Sequence, residues 1–67
     1  MKIPLTKIVT KYLEDNRNRL IYKGDIEHLA QENGYYAYTG ARTAQKLAQA
    51  GKIHKDYNDK GLVTYHV

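Results

Sequence analysis

Cysteine, phenylalanine and tryptophan are absent from this sequence, and proline occurs once. Without cysteine there is no disulfide framework, no thiolate metal site and no thiol nucleophile, a composition that suits a reducing compartment. No apolar run approaches the roughly 20 residues that a helix needs to cross a bilayer. The opening Met1-Lys2-Ile3-Pro4-Leu5 gives way to polar residues within a few positions and lacks the continuous apolar stretch of a secretory signal. A soluble, intracellular, cytoplasmic protein without a membrane partner is therefore expected. No linker, repeat or low-complexity stretch interrupts the 67 residues, so they read as one domain with one core. A chain this short buries only about 60% of the surface it exposes when unfolded, so its stability should be modest.

The inventory for chemistry is equally thin. His28, His54 and His66 lie on three different segments with no helical i, i+4 pair, and they read as surface residues rather than metal ligands. There is no glycine-rich phosphate loop. Glu14 and Asp15 point to different sides of a helix end, not across a cleft. The threonines have no convincing base beside them. No enzymatic activity, metal or cofactor is expected.

What the sequence does have is positive charge, unevenly spread. The formal net charge is +4. Residues 1–34 carry six Lys/Arg against five Asp/Glu, whereas residues 35–67 carry five against two. Between Asn33 and Lys55 there is no carboxylate, while Arg42, Lys46, Lys52 and Lys55 all fall in or at the edge of that stretch. Such a stretch attracts a polyanion, or it is a solvated face that serves solubility.

Hydrophobic periodicity places the elements. Leu5, Ile8, Val9, Tyr12 and Leu13 recur at helical spacing, with Pro4 or Thr6 opening a helix that runs to about Asp15. Asn16 to Arg19 is polar turn material, and Leu20-Ile21-Tyr22 has the character of a short strand. A second helix is expected from Lys23 or Gly24 to Asn33. Ile26, Leu29 and Ala30 form its apolar stripe, Asp25 and Glu27 favour its positive end, and Gly34 stops it. A third helix spans roughly Ala37 to Ala50. Its inward side is read as Gly40, Ala44, Leu47, Ala48 and Gly51, mostly small residues that permit close helix packing. On its other side Tyr38, Arg42, Gln45 and Gln49 repeat at steps of four, three and four, flanked by Ala41 and Lys46. After Gly51 the period becomes alternating. Lys52–Tyr57 and Leu62–Val67 flank Asn58-Asp59-Lys60-Gly61 as a β-hairpin, whose register the pattern leaves open: Ile53, Val63, Tyr65 and Val67 can supply the buried side, with Lys55, Thr64 or His66 partly in water depending on that register.

The polar face of the third helix carries no carboxylate. Arg makes a bidentate contact to guanine and Gln to adenine in the major groove, Ala41 suits a thymine methyl, and Lys46 reaches phosphate. The same residues are also good helix formers and populate ordinary exposed surfaces. Seven tyrosines are the most unusual feature of the composition. Tyr12, Tyr35 and Tyr65 read as core aromatics whose hydroxyls reach the surface. Tyr36 and Tyr38, at the start of the third helix, suit either a DNA phosphate or a protein partner.

The expected class is α+β, ordered helix, strand, helix, helix, hairpin. At this length the chain resembles the winged-helix version of the helix-turn-helix fold, as found in small bacterial, archaeal and viral regulators. The resemblance covers nearly the whole chain. Its most specific part is Ile26-x-x-Leu29-Ala30, then Gly34-Tyr35, then Thr39-x-x-Arg42-x-x-x-x-Leu47-x-x-x-Gly51-x-Ile53. The resemblance implies that the helix from Ala37 to Ala50 is the recognition helix and that the hairpin from Lys52 to Val67 is a wing resting on the DNA backbone. It implies double-stranded DNA binding by a transcriptional regulator or accessory protein, with Tyr38, Ala41, Arg42, Gln45, Lys46, Gln49, Lys55 and Lys60 at the interface. The alternative is a winged-helix module that binds a protein partner through its tyrosine-rich helix start and wing. Either would act as a monomer or weak homodimer. Three departures from the family pattern stand out, one being that Asp25, Glu27 and Glu32 on the second helix would repel phosphate, so its acidic side should face away from a duplex. Gly40 and Ala44 replace larger apolar residues, so the third helix should sit close to its neighbours. Asp56 and Asp59 leave the wing nearly neutral.

Overall fold

Pro4 sets the start of the first helix. In the computed structural model, which describes residues 3–67, its carbonyl accepts from the amides of Lys7 and Ile8 at 3.1 and 3.2 Å. Helix α1 then runs over Leu5–Asp15 with Leu5, Val9 and Leu13 buried, and Ile8 and Tyr12 pack against the same core. The helix ends where the Asn16 side-chain amide donates to the Tyr12 carbonyl at 2.7 Å, a local side-chain bond of the kind that competes with helix propagation. Arg19 returns from the turn to the same tyrosine, donating to its hydroxyl at 2.6 Å.

Strand β1 is only Ile21–Tyr22. Leu20, expected in the strand, lies outside it and is 61% exposed, because only Ile21 and Tyr22 find partners, opposite Tyr65 and Thr64. Helix α2 follows at once over Lys23–Glu32. The amide of Tyr22 donates to the Asp25 carboxylate at 2.9 Å, half of a capping box, so the expected role of Asp25 at this end has a specific partner. At the far end the amides of Tyr35 and Gly34 return to the carbonyls of Ala30 and Gln31 at 2.9 and 3.1 Å, with Gly34 at a φ of 82°. These two bonds are the Schellman pattern.

Helix α3 spans Ala37–Gln49 with Gly40, Ala44 and Leu47 buried. The close approach expected at Gly40 is present: a Cβ built there would lie 2.8 Å from both the Ala30 Cβ and the Ile26 carbonyl oxygen. Gly51 departs from its expected inward position. It lies past the helix, exposed, at a φ of 76°, with nothing within 4 Å of an added Cβ. Its amide and that of Lys52 bond to Ala48 and Leu47 carbonyls at 3.1 and 3.0 Å. It is thus the second Schellman glycine, needed for its positive φ and not for packing.

The hairpin strands are β2, His54–Tyr57, and β3, Val63–His66. The sheet is antiparallel in the order β1-β3-β2. Lys52 and Ile53 precede the strand instead of opening it, and Ile53 is buried as part of the connection. Asn58 holds the hairpin turn: its side-chain oxygen accepts from the amides of Lys60 and Leu62, each at 2.9 Å. Thr64, expected partly in water, is only 4% exposed. It sits on the central strand between Tyr22 and Asp56, whose side chains share its face and flank it.

The buried residues of all three helices, β1, β3 and the Ile53 connection form one apolar cluster. Val9, Leu13, Ile21, Ile26 and Ile53 are its largest fully enclosed side chains, each contributing about 1.5–3 kcal/mol by leaving water. The architecture is therefore a small α+β fold in the order α-β-α-α-β-β, as the sequence implies. No described helix is long and apolar enough to cross a membrane.

The α2–α3 contact gives a test with an unusual sign. Gly to Ala inside a helix ordinarily stabilises by about 1 kcal/mol. Here the new methyl meets a backbone oxygen that cannot rotate away, so G40A is expected to lose about 1–3 kcal/mol in urea unfolding. A gain in stability would show that the two helices separate without cost.

Candidate nucleic-acid interface

The buried stripe of α3 fixes what the helix shows to water. With Gly40, Ala44 and Leu47 held inward, a helical turn of 3.6 residues carries Tyr38, Arg42, Gln45 and Gln49 to the opposite side. All four are exposed, as is Lys46, and Ala41 is half-buried beside them. These residues therefore share one accessible surface, a row about three turns long. Packing sets their direction.

No carboxylate neutralises that row. Among the described residues Lys11 pairs with Asp15 at 3.6 Å on α1, and the His28 ring nitrogen lies 3.2 Å from the Glu32 carboxylate on α2, an ion pair only when the imidazole is protonated. Both lie within single helices and are exposed, so each is worth little to stability. Neither involves Arg42 or Lys46, which leaves both cations available to an external anion. Of the three acidic residues of α2, Asp25 caps that helix and Glu32 lies against His28 within it.

The hairpin residues are placed differently. Lys55 is exposed on β2, with its ammonium 5.7 Å from the centre of the Tyr57 ring. Lys60 is exposed in the turn held by Asn58. Asp56 and Asp59 are exposed near them, and Asp56 accepts a bond from the Tyr57 amide at 2.8 Å. The hairpin thus presents charges of both signs, whereas α3 presents one.

Five of the seven tyrosines fall into two groups. Tyr65 is buried, and Tyr12 and Tyr35 pack on the core, the latter donating its hydroxyl to the Ile3 carbonyl at 3.1 Å. These are the three expected core rings. Tyr36 and Tyr38 instead stack on each other in the open, with centroids 5.5 Å apart and planes within 8°. Their i, i+2 spacing gives no hint of stacking, because residues two apart do not face each other within a helix. The geometry arises at the boundary: Tyr36 is the extended residue before α3, with φ −80° and ψ 153°, whereas Tyr38 lies inside the first turn.

A second grouping is also hidden by sequence distance. His54 and His66 oppose each other across β2 and β3, and their rings stack with centroids 5.2 Å apart. The two imidazoles have no third partner: among the described residues no cluster of three or more metal-binding side chains occurs. No protein-family model matches the chain, and no curated protein or solved structure matches it at a significant level.

The exposed row has a structural consequence. Since Arg42, Gln45 and Gln49 make no contact on which the core depends, replacing all three with Ala should leave unfolding stability within about 1 kcal/mol. A larger loss would assign the row to the scaffold instead of to a ligand.

Proposed function

We propose that the chain is a winged-helix DNA-binding domain, a transcriptional regulator or accessory protein that lays α3 in the major groove of duplex DNA. The observation that carries this reading is the exposed, carboxylate-free row of Tyr38, Arg42, Gln45 and Gln49, with Lys46 at its side. The antiparallel sheet order and the two helices joined by a short Gly34-containing turn support it. Arg42 and Gln45 read base edges, Ala41 meets a thymine methyl, and Gln49 extends the row. Tyr38 and Lys46 contact phosphate. Lys55 and Lys60 bring the hairpin to the backbone, where Asp56 and Asp59 weaken its hold.

A protein partner is the second reading, favoured by the exposed rings of Tyr36 and Tyr38 and by the mixed charge of the hairpin. An NMR titration with a short duplex at low salt separates the two. Shifts concentrated from Tyr38 to Gln49 support groove binding, and unchanged spectra favour the protein partner.

Electrostatics adds a quantitative expectation. If Lys46, Lys55 and Lys60 each neutralise one phosphate, log affinity should fall against log salt with a slope of about −2.7. Arg42→Ala should cost about 1–3 kcal/mol on a preferred site and less on random duplex. A flat salt response would overturn duplex binding, and equal losses on both DNAs would make Arg42 a phosphate contact.

A further inference from the structure

The paired rings at the start of α3 exceed what groove reading requires. Tyr36 and Tyr38 are 72% and 62% exposed, so the stack leaves aromatic face open to solvent. A duplex does not use such a face, because its bases are stacked on one another and offer only their edges to the groove. An unpaired base does use it, since every base has a π-face and stacking on an aromatic ring is tolerant of sequence.

We propose that the Tyr36–Tyr38 pair is a stacking platform for an unpaired nucleobase, so that the preferred ligand is DNA carrying a single-stranded segment beside the duplex. This rests on the DNA-binding reading above. Three features favour a base over a protein as occupant. Two rings match the face of one nucleotide but fall far short of the roughly 800 Å² per partner of a stable protein interface. The charge is complementary to a nucleic acid, with no acidic residue between Asn33 and Lys55 and Arg42 one helical turn beyond Tyr38 on the same exposed row. The rings also hold one another near parallel, within 8°, so less ordering is left to the moment of binding.

The test compares fluorescence anisotropy of the full chain on three labelled DNAs: a blunt duplex, the same duplex with a short single-stranded overhang at either end, and that overhang made abasic. The overhang should tighten binding about tenfold, and the abasic overhang should return it to the blunt value. Tyr36→Leu should remove most of the overhang gain while leaving blunt-duplex affinity within about twofold, and Tyr38→Leu should remove that gain and also weaken the blunt duplex through its lost phosphate contact. No gain from the overhang, or an equal gain from the abasic strand, overturns the platform even if the variants fail to fold. If blunt duplex binds and the overhang adds nothing, only the platform falls. Binding to the overhang DNA but not to the blunt duplex supports the platform and removes the groove reading. Failure to bind any of the DNAs removes both.

Discussion

The contact between α2 and α3 at Gly40 governs what the molecule can present. There the backbone of α3 approaches so closely that the position has room for no side chain, with the Ile26 carbonyl oxygen and the Ala30 methyl occupying the space. A helix held at that distance has little freedom to rotate about its axis, since turning would bring a larger residue such as Thr39 or Ala41 into the same gap. Rotation is what decides which residues meet a ligand. Ala44 and Leu47 continue the buried line, and the exposed row follows on the other side by helical geometry alone. The face is thus set by steric exclusion, not by any bond that the polar residues make themselves.

The remaining elements support that contact. Asp25 fixes the start of α2, and the turns after α2 and α3 close with the same pair of backbone bonds, each around a glycine of positive φ. Both ends of the α2–turn–α3 unit are therefore satisfied by short-range hydrogen bonds, to which the Asn33 side-chain amide adds one to the Leu29 carbonyl at 2.8 Å. The sheet closes the other side of the core through β3, whose Tyr65 packs inward while Thr64 is enclosed between its neighbours. The strand β2 buries none of its residues. Its attachment depends on pairing with β3 and on the Asn58 turn, so β2 is the one described helix or strand that adds no buried side chain to the core.

Much of this is legible in the sequence. The three helices, the hairpin and the division of α3 into a small-residue side and a polar side follow from period and composition, because burial repeats at the pitch of the element. The errors have physical causes. Gly51 continues the inward spacing of α3, but position along a helix says nothing about where the helix stops, and a glycine serves packing and termination equally well. Thr64 alternates with the apolar residues of its strand, yet a central strand has neighbours on both edges and can enclose a small polar residue on its second face. The pairings of Tyr36 with Tyr38 and His54 with His66 are hidden for different reasons. One depends on a change in backbone conformation between two nearby residues, and the other on a strand register that the pattern leaves open.

The two aromatic groupings also show why exposure alone does not define a site. His54 and His66 stack on the hairpin, away from the row of like-charged and amide side chains on α3, and their environment offers no third group to complete a ligand set. Tyr36 and Tyr38 have comparable geometry, but they stand at the head of that row, one turn from Arg42. Their apolar faces are costly to leave in water and contribute nothing to the core. A partner that is flat, apolar on its face and anionic along its edge relieves that cost and meets the neighbouring cation in one placement, which is the chemical description of a nucleotide. A peptide would need apolar surface extending beyond the two rings, and the exposed residues that follow them along α3, Arg42, Gln45, Lys46 and Gln49, are polar.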